Sequence, residues 1–350
     1  MTMLLWTVLI VSEIGLAIYE LAGKATKKEW TLKRLTVSGG QIVIYLLMVA
    51  LPGIDFSFRF TGLFILLGIR ALIAGIFWLI DRHNENKKKN LWIVLSAVLG
   101  IVLISMSMIP AFVFKDYKGR PVTGSYEVAS CSAILIDETR LETYENDGSY
   151  REVPVYFYYP SSIEDINECS LPLVIFSHGA FGYYESNTST YMELASNGYV
   201  VVSMEHPYHS LFTKDTAGKI ITVDPEFFNT AINVGNNGEA EVYEITSKWM
   251  ELREADMNFA LDTIIKASKD SEDDDAWFYV DDNKEKIAEI LKCADPERIG
   301  LMGHSLGGAT AVTVGRREDV SAVIDFDGTM LGENTGMKDG EILVNEEPYD

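Results

Sequence analysis

Hydrophobic positions divide the chain at about residue 114. Before that point four long apolar stretches follow one another: Leu4–Leu21, Leu35–Leu51, Phe60–Ile80 and Leu91–Phe114. They lack the polar stripe of an amphipathic surface helix, and each is long enough to cross ~30 Å of hydrocarbon, the second only just. The pattern predicts a transmembrane region of four helices over residues 1–114. Glu13 and Glu20 interrupt the first stretch and Arg70 sits near the middle of the third. A lone ion in a bilayer is costly, so Glu13 and Arg70 are expected to pair across helices or to face a helix contact.

After residue 114 short apolar runs alternate with helical periods. Strands are predicted at Tyr126–Asp137, Val153–Pro160, Leu171–Ser177, Gly198–Met204, Arg298–Met302 and Val320–Asp327. Leu171–Ser177 is apolar nearly throughout, as a strand covered on both faces would be. Helices are predicted at Asn187–Asn197, Ala240–Ala267, Asn283–Lys292 and from Ala309 to Gly315. In the long helix Ile245, Trp249, Leu252, Met257, Ala260, Leu261, Ile264 and Ile265 recur near the helical period. Pro207–Glu239 is long and aperiodic, and reads as a lid or a surface loop. Strands alternating with helices indicate a doubly wound, mostly parallel α/β sheet over residues 115–350.

Charge sharpens the division. Residues 1–114 carry 11 Lys and Arg against 6 Asp and Glu, whereas residues 115–350 carry 18 against 45. So acidic a domain excludes nucleic acid as a partner and disfavours a peripheral hold on anionic lipid. Within the first part the basic residues cluster in two connections. One holds Lys24, Lys27, Lys28, Lys33 and Arg34, and the other Arg82, Lys87, Lys88 and Lys89. The positive-inside rule places both in the cytoplasm and the soluble domain outside, weakly opposed by Lys115, Lys118 and Arg120. The expected location is therefore the cell membrane, multi-pass. The three cysteines, Cys131, Cys169 and Cys293, match no metal spacing. The acidic stretch Ser268–Asp275 lacks the EF-hand order of carboxylates and reads as a solvated insertion.

One motif carries chemistry. Gly303-His-Ser-Leu-Gly307 follows a short apolar strand and opens a helix, which is the strand–turn–helix setting of a nucleophile elbow. Ser305 would sit in a strained backbone above the sheet, flanked by glycines because side chains there would strike neighbouring elements. The helix N-terminus offers unpaired N–H groups to a developing negative charge, first among them that of Leu306. The loop after the third strand, Ser177-His-Gly-Ala-Phe-Gly182, is placed to offer a second donor from Ala180, or else from Phe181. Asp325 and Asp327 close the strand after the elbow, and Asp327, nearer the loop, is the preferred acid, with a carboxylate after a later strand beyond Asp350 as the alternative. A base is missing. The histidines are His83, His178, His206, His209 and His304, and none follows Ser305, although the order in this fold is serine, acid, histidine. The expectation is that the domain continues past Asp350 and carries its histidine there, with His206 or His209 as a less favoured source.

These residues resemble the α/β-hydrolase family. They are most similar to the platelet-activating-factor acetylhydrolase group and its bacterial esterase and lipase relatives. The likeness rests on Leu171–Gly179, Asn197–His206, Arg298–Thr310 and Ile324–Met330. It implies Ser305 as nucleophile, Asp327 as triad acid, Ala180 and Leu306 as oxyanion donors, and neither cofactor nor metal. The expected function is a membrane-anchored serine hydrolase cleaving carboxylic esters, with short-chain acyl or lipid esters as substrates and the bilayer as a partner. A peptidase or thioesterase of the same fold, a non-catalytic receptor or scaffold, and transport through the four spans are the alternatives. Protein partners are left open.

Overall fold

The computed structural model describes residues 1–23, 25–51, 53–54, 56–114, 121–269 and 284–348. Lys24, Lys115, Lys118, Arg120, Asn283 and the acidic stretch from residue 270 onward lie outside these residues. The chain divides into two compact units, Met1–Lys118 and Gly119–Asp350.

The first unit consists of α1 (Thr2–Gly23), α2 (Lys27–Ala50), α3 (Phe58–Asp81), α4 (Asn90–Ser107) and the single turn α5 (Ile109–Val113). The first four are long and apolar enough to cross a membrane. Helix α2 starts eight residues before the apolar stretch that predicted it. The cause is a capping box: Thr26 accepts from the Glu29 N–H, and the Glu29 carboxylate accepts from the Thr26 N–H. Lys27, Lys28, Lys33 and Arg34 are thus helical rather than parts of a loop. Leu5, Leu9, Glu13, Leu16 and Glu20 form the buried stripe of α1. Glu13 pairs with Arg70 as expected, and Arg34 joins them.

The second unit is built on a six-stranded sheet in the order β1-β2-β4-β3-β7-β8. Its strands are β1 (Val128–Leu141), β2 (Tyr150–Pro160), β3 (Leu171–Ser177), β4 (Val200–Met204), β7 (Ala294–His304) and β8 (Ala322–Phe326). β1 and β2 are antiparallel to each other and β2 to β4, while β4, β3, β7 and β8 run parallel. This is the α/β-hydrolase-like mixed sheet that the alternating pattern predicts. Along β3, Leu173 and Ile175 enter a core shared with α8 (Glu239–Lys269) and α9 (Lys284–Cys293). Val174 and Phe176 enter another, with Tyr191 and Ala195 of α6 (Thr188–Ser196). The period of two along a strand thus fills both faces, which is why β3 is apolar throughout.

Segment 207–239 is more ordered than its lack of periodicity suggests. It forms a hairpin of β5 (Phe212–Lys214) and β6 (Ile220–Thr222), and then α7 (Pro225–Asn233). Asp224 caps α7 through the Phe227 N–H at 2.8 Å, with Pro225 in the first turn. After the elbow helix α10 (Leu306–Val314) and β8, the chain ends in a separate hairpin of β9 (Asn334–Lys338) and β10 (Glu341–Val344).

Candidate active site

At the carboxyl edge of the sheet, each parallel strand runs within four residues into a non-glycine residue with positive φ. Phe181 (60°) follows β3, Tyr208 (70°) follows β4, Ser305 (53°) follows β7 and Asp327 (57°) follows β8. Such angles cost energy for residues bearing a Cβ, and they concentrate where surrounding packing over-determines the backbone. Open α/β sheets place their ligands outside this same edge.

Ser305 lies between β7 and α10 with φ 53° and ψ −121°. Its N–H donates to the Phe326 carbonyl at 2.8 Å, which ties the turn to the end of β8 beside Asp327. The flanking glycines are there for space. A Cβ at Gly303 would come within 2.0 Å of the Gly307 carbonyl oxygen, and one at Gly307 within 2.1 Å of the Ser177 carbonyl oxygen. Ser305 is half-buried. Among the described residues its Oγ has no hydrogen-bond partner.

The Ser177–Gly182 loop closes on this turn. A Cβ at Gly179 would lie 3.2 Å from the Ser305 Cβ. The Phe181 N–H is already spent on the His209 carbonyl at 3.2 Å, whereas the Ala180 N–H has no partner among the described residues. Leu306 is the first residue of α10, so its N–H lacks an intrahelical acceptor. Ala180, Leu306, Phe181 and Phe227 of α7 share one apolar cluster.

The two aspartates differ. The Asp325 Oδ1 accepts from the Gly328 N–H at 2.9 Å and lies where a Cβ on Gly308 would be, so it is packed beneath α10. Asp327 is exposed, one residue past β8.

Three of the histidines are engaged elsewhere. His178 Nδ1 contacts the Gly179 carbonyl at 2.6 Å, and its Nε2 contacts Ser210 Oγ at 2.8 Å and Glu205 at 3.3 Å. His209 stacks on Phe227 at 3.8 Å, and its ring nitrogens meet Tyr144 and Arg253. His206 has its Nε2 on Ser177 Oγ at 2.9 Å and its Nδ1 on Asp256 Oδ2 at 3.0 Å. Burial, reinforced by the Arg253 charge, holds both His206 and His209 well below the ordinary imidazole range. A neutral His206 protonated on Nδ1 donates to Asp256 and accepts from the Ser177 hydroxyl.

Residues of α8 organise this network, and the apolar period of the helix passes over them. Arg253 and Asp256 are both fully buried. Arg253 donates to the His178 carbonyl at 2.5 Å and the Gly179 carbonyl at 3.4 Å, holding the loop by its oxygens and leaving the next amide free. Burial lowers its pKa to about 9, against the attraction of Asp256. Asp256 is bridged by Arg151 at 2.7 Å and Arg140 at 3.0 Å. Burial would raise this carboxyl, but Arg151 and His206 together hold it well below the usual carboxylate range. A charged residue in a helix reads in sequence as solvent-facing, so only contacts reveal these two.

The family described as "Platelet-activating factor acetylhydrolase, isoform II" matches residues 165–337, a span that includes the Ser177–Gly182 loop, Ser305 and Asp327. Over 170 residues the chain is 25% identical to a probable 1-alkyl-2-acetylglycerophosphocholine esterase of Arthroderma benhamiae, covering 48% of this chain and 34% of that protein. The chain is an α/β-hydrolase-fold protein related at low identity to the platelet-activating factor acetylhydrolases. The platelet-activating factor acetylhydrolase of Gallus gallus is 27% identical over 157 residues, 40% of this chain and 34% of that one. The chain thus spans about a third of the length of these relatives. A ferulic acid esterase from Streptomyces cinnamoneus is a similar solved structure, with 21% identity and a TM-score of 0.43 over 60% of this chain and 62% of its own.

Proposed function

We propose that this protein is a membrane-anchored serine hydrolase that cleaves carboxylic esters through an acyl-enzyme on Ser305. The observation carrying this reading is the backbone of Ser305, held at positive φ in a glycine-lined turn with its hydroxyl unspent. Relationship to the acetylhydrolases favours short-chain acyl or lipid esters as substrates, and the four long apolar helices favour esters met at a bilayer.

In this reaction Ser305 Oγ attacks the ester carbonyl. The oxyanion is received by the N–H groups of Ala180 and Leu306, each such donor being worth about 10²–10³ in rate. The Ser305 proton passes to an imidazole oriented by Asp327, which lies exposed beside the Phe326–Ser305 link, and that imidazole returns it to the departing alcohol oxygen. His178, His206 and His209 are occupied by other partners, and the base is assigned to none of them. The alcohol leaves and water releases the acyl group from Ser305. Residues 1–114 form the anchor and residues 115–350 the catalytic domain, facing outward.

Labelling of the full chain with a fluorophosphonate tests this. Labelling that disappears in Ser305→Ala supports an activated serine. Its absence in the unaltered chain, together with no hydrolysis of p-nitrophenyl acetate, would replace the proposal with a non-catalytic scaffold.

A further inference from the structure

The four-helix unit holds a second buried polar cluster, and its charges do not balance. Glu13 of α1 is fully buried. Its carboxylate accepts from Arg34 Nη1 of α2 at 2.6 Å, Arg70 Nη2 of α3 at 2.6 Å and Gln41 Nε2 at 2.7 Å. One carboxylate therefore meets two guanidinium groups, and one positive charge is left over. The Arg70 side chain is 9% exposed, and its Nη1 is buried without a hydrogen-bond partner. A charged donor left unpaired in an apolar surrounding is costly, so a site of this kind calls for an anionic oxygen.

Arg70 lines an open-sided cavity of about 370 Å³. Arg34 and Lys88 also line it, none of the described lining residues is acidic, and Phe77, Leu95 and Leu99 contribute apolar wall. Burial already keeps the Lys88 ammonium below its usual range, and a nearby anion would oppose that shift. Gly100 completes the wall. A Cβ there would stand 2.6 Å from Glu13 Oε2 and 2.9 Å from Arg70 Nη2, so the pair sits as it does against a position of α4 that carries only a hydrogen.

We propose that this cavity binds the head group of an acidic amphiphile, its oxyanion on Arg70 Nη1 and its acyl chain along Phe77, Leu95 and Leu99. The shared chemistry is a single anionic oxygen group on an apolar chain. A fatty-acid carboxylate and the phosphate of an acidic phospholipid both supply it. The inference is independent of the hydrolase reading.

Native mass spectrometry of the full chain in a neutral maltoside detergent provides the test. The probes are dioleoylphosphatidylglycerol, oleate and, as a lipid of no net charge, dioleoylphosphatidylcholine. The expected result is one equivalent of an acidic probe bound at least tenfold more tightly than the phosphatidylcholine. Preference for phosphatidylglycerol identifies a membrane lipid as the source, and preference for oleate a free acid; either supports the site. Arg70→Gln leaves Glu13 and Arg34 as a neutral pair and should reduce the preference to within about twofold. Ser96→Phe fills the cavity without touching a charge and should weaken acidic-probe binding at least tenfold with helix content unchanged. Equal binding of all three probes, or a preference retained in both variants, would overturn the proposal.

Discussion

Two serines of the second unit lie at the ends of neighbouring strands, and their surroundings are opposite. Ser177 ends β3 in a fully buried Ser–His–Asp series, with 2.9 Å from Oγ to His206 and 3.0 Å from His206 to Asp256. By residue type this is a catalytic triad. Among the described residues Ser305, which follows β7, has no base on it, yet it has the strained backbone, the free hydroxyl and two unspent amides beside it. Under the proposed function, the comparison teaches that hydrogen-bond capacity left over, together with access, marks the reacting serine better than residue identity does. Around Ser177 nearly every polar group is satisfied, and the network's effect is to hold the loop that carries Ala180.

The contrast can be broken by experiment. Its largest expected consequence is a division between the serines. Ser305→Ala should reduce ester hydrolysis by about 10⁴-fold or more with little change in melting temperature. Should Ser177→Ala give that loss instead, the buried series is the catalytic one.

Removing Asp256 should show the structural weight of the network. Asp256→Ala leaves His206 Nδ1 without its acceptor, Arg140 with Asp137 alone and Arg151 with Glu142 and the Pro207 carbonyl, and a loss of about 3–5 kcal/mol in unfolding free energy is expected. Denaturant titration of the full chain would check it, and a loss below about 1 kcal/mol would mean the network is dispensable.

Acid should act through the same histidines. The folded pKa values of His206 and His209 are depressed, so the unfolded chain takes up protons first as pH falls below about 6.5. Stability present above that pH is then lost on acidification, by about 1.4 kcal/mol per pH unit for each ring. Glu254 has the opposite sign. Burial, with Glu333 and Glu251, pushes its carboxyl up to about 7, so its contribution is present below about 4.5 and fades as pH rises through 7. Partial exposure screens that effect. Melting temperature should hold between pH 7.5 and about 6.5 and fall from there to pH 5, and His209→Phe should roughly halve the histidine part of that fall.

The smallest effect belongs to Ser177→Ala. Loss of one buried hydrogen bond to His206 should cost about 1–2 kcal/mol and leave hydrolysis within about tenfold of the unaltered chain.

Much of the fold was legible because hydrophobic periodicity records burial directly. Leu171–Ser177 is both the predicted and the observed extent of β3, and the long helix reached within two residues of α8 at each end. Misses occurred where local capping or long-range pairing decided the outcome. The start of α2 depended on the Thr26–Glu29 box rather than on hydropathy. Segment 207–239 hid α7 and a hairpin because strands of three residues are too short to show a period. At the candidate site, Ser305 stood out through its glycines. The positive φ of Phe181 and Tyr208 left no trace in composition, and Arg253 and Asp256 counted as polar positions on a helix that in fact turns them inward.

Gly100 carries a consequence for how this chain tolerates change. In an isolated helix alanine is favoured over glycine by about 1 kcal/mol, and on transfer to hydrocarbon the added methyl is favourable too. Both scales would class Gly100→Ala as an improvement of α4. Packed against Glu13 and Arg70, the same methyl would force the ends of both side chains, held together in one ion pair, to shift. A redesign of the membrane unit guided by apolarity alone would therefore select, at this position, the substitution that pushes into the buried Glu13–Arg70 pair.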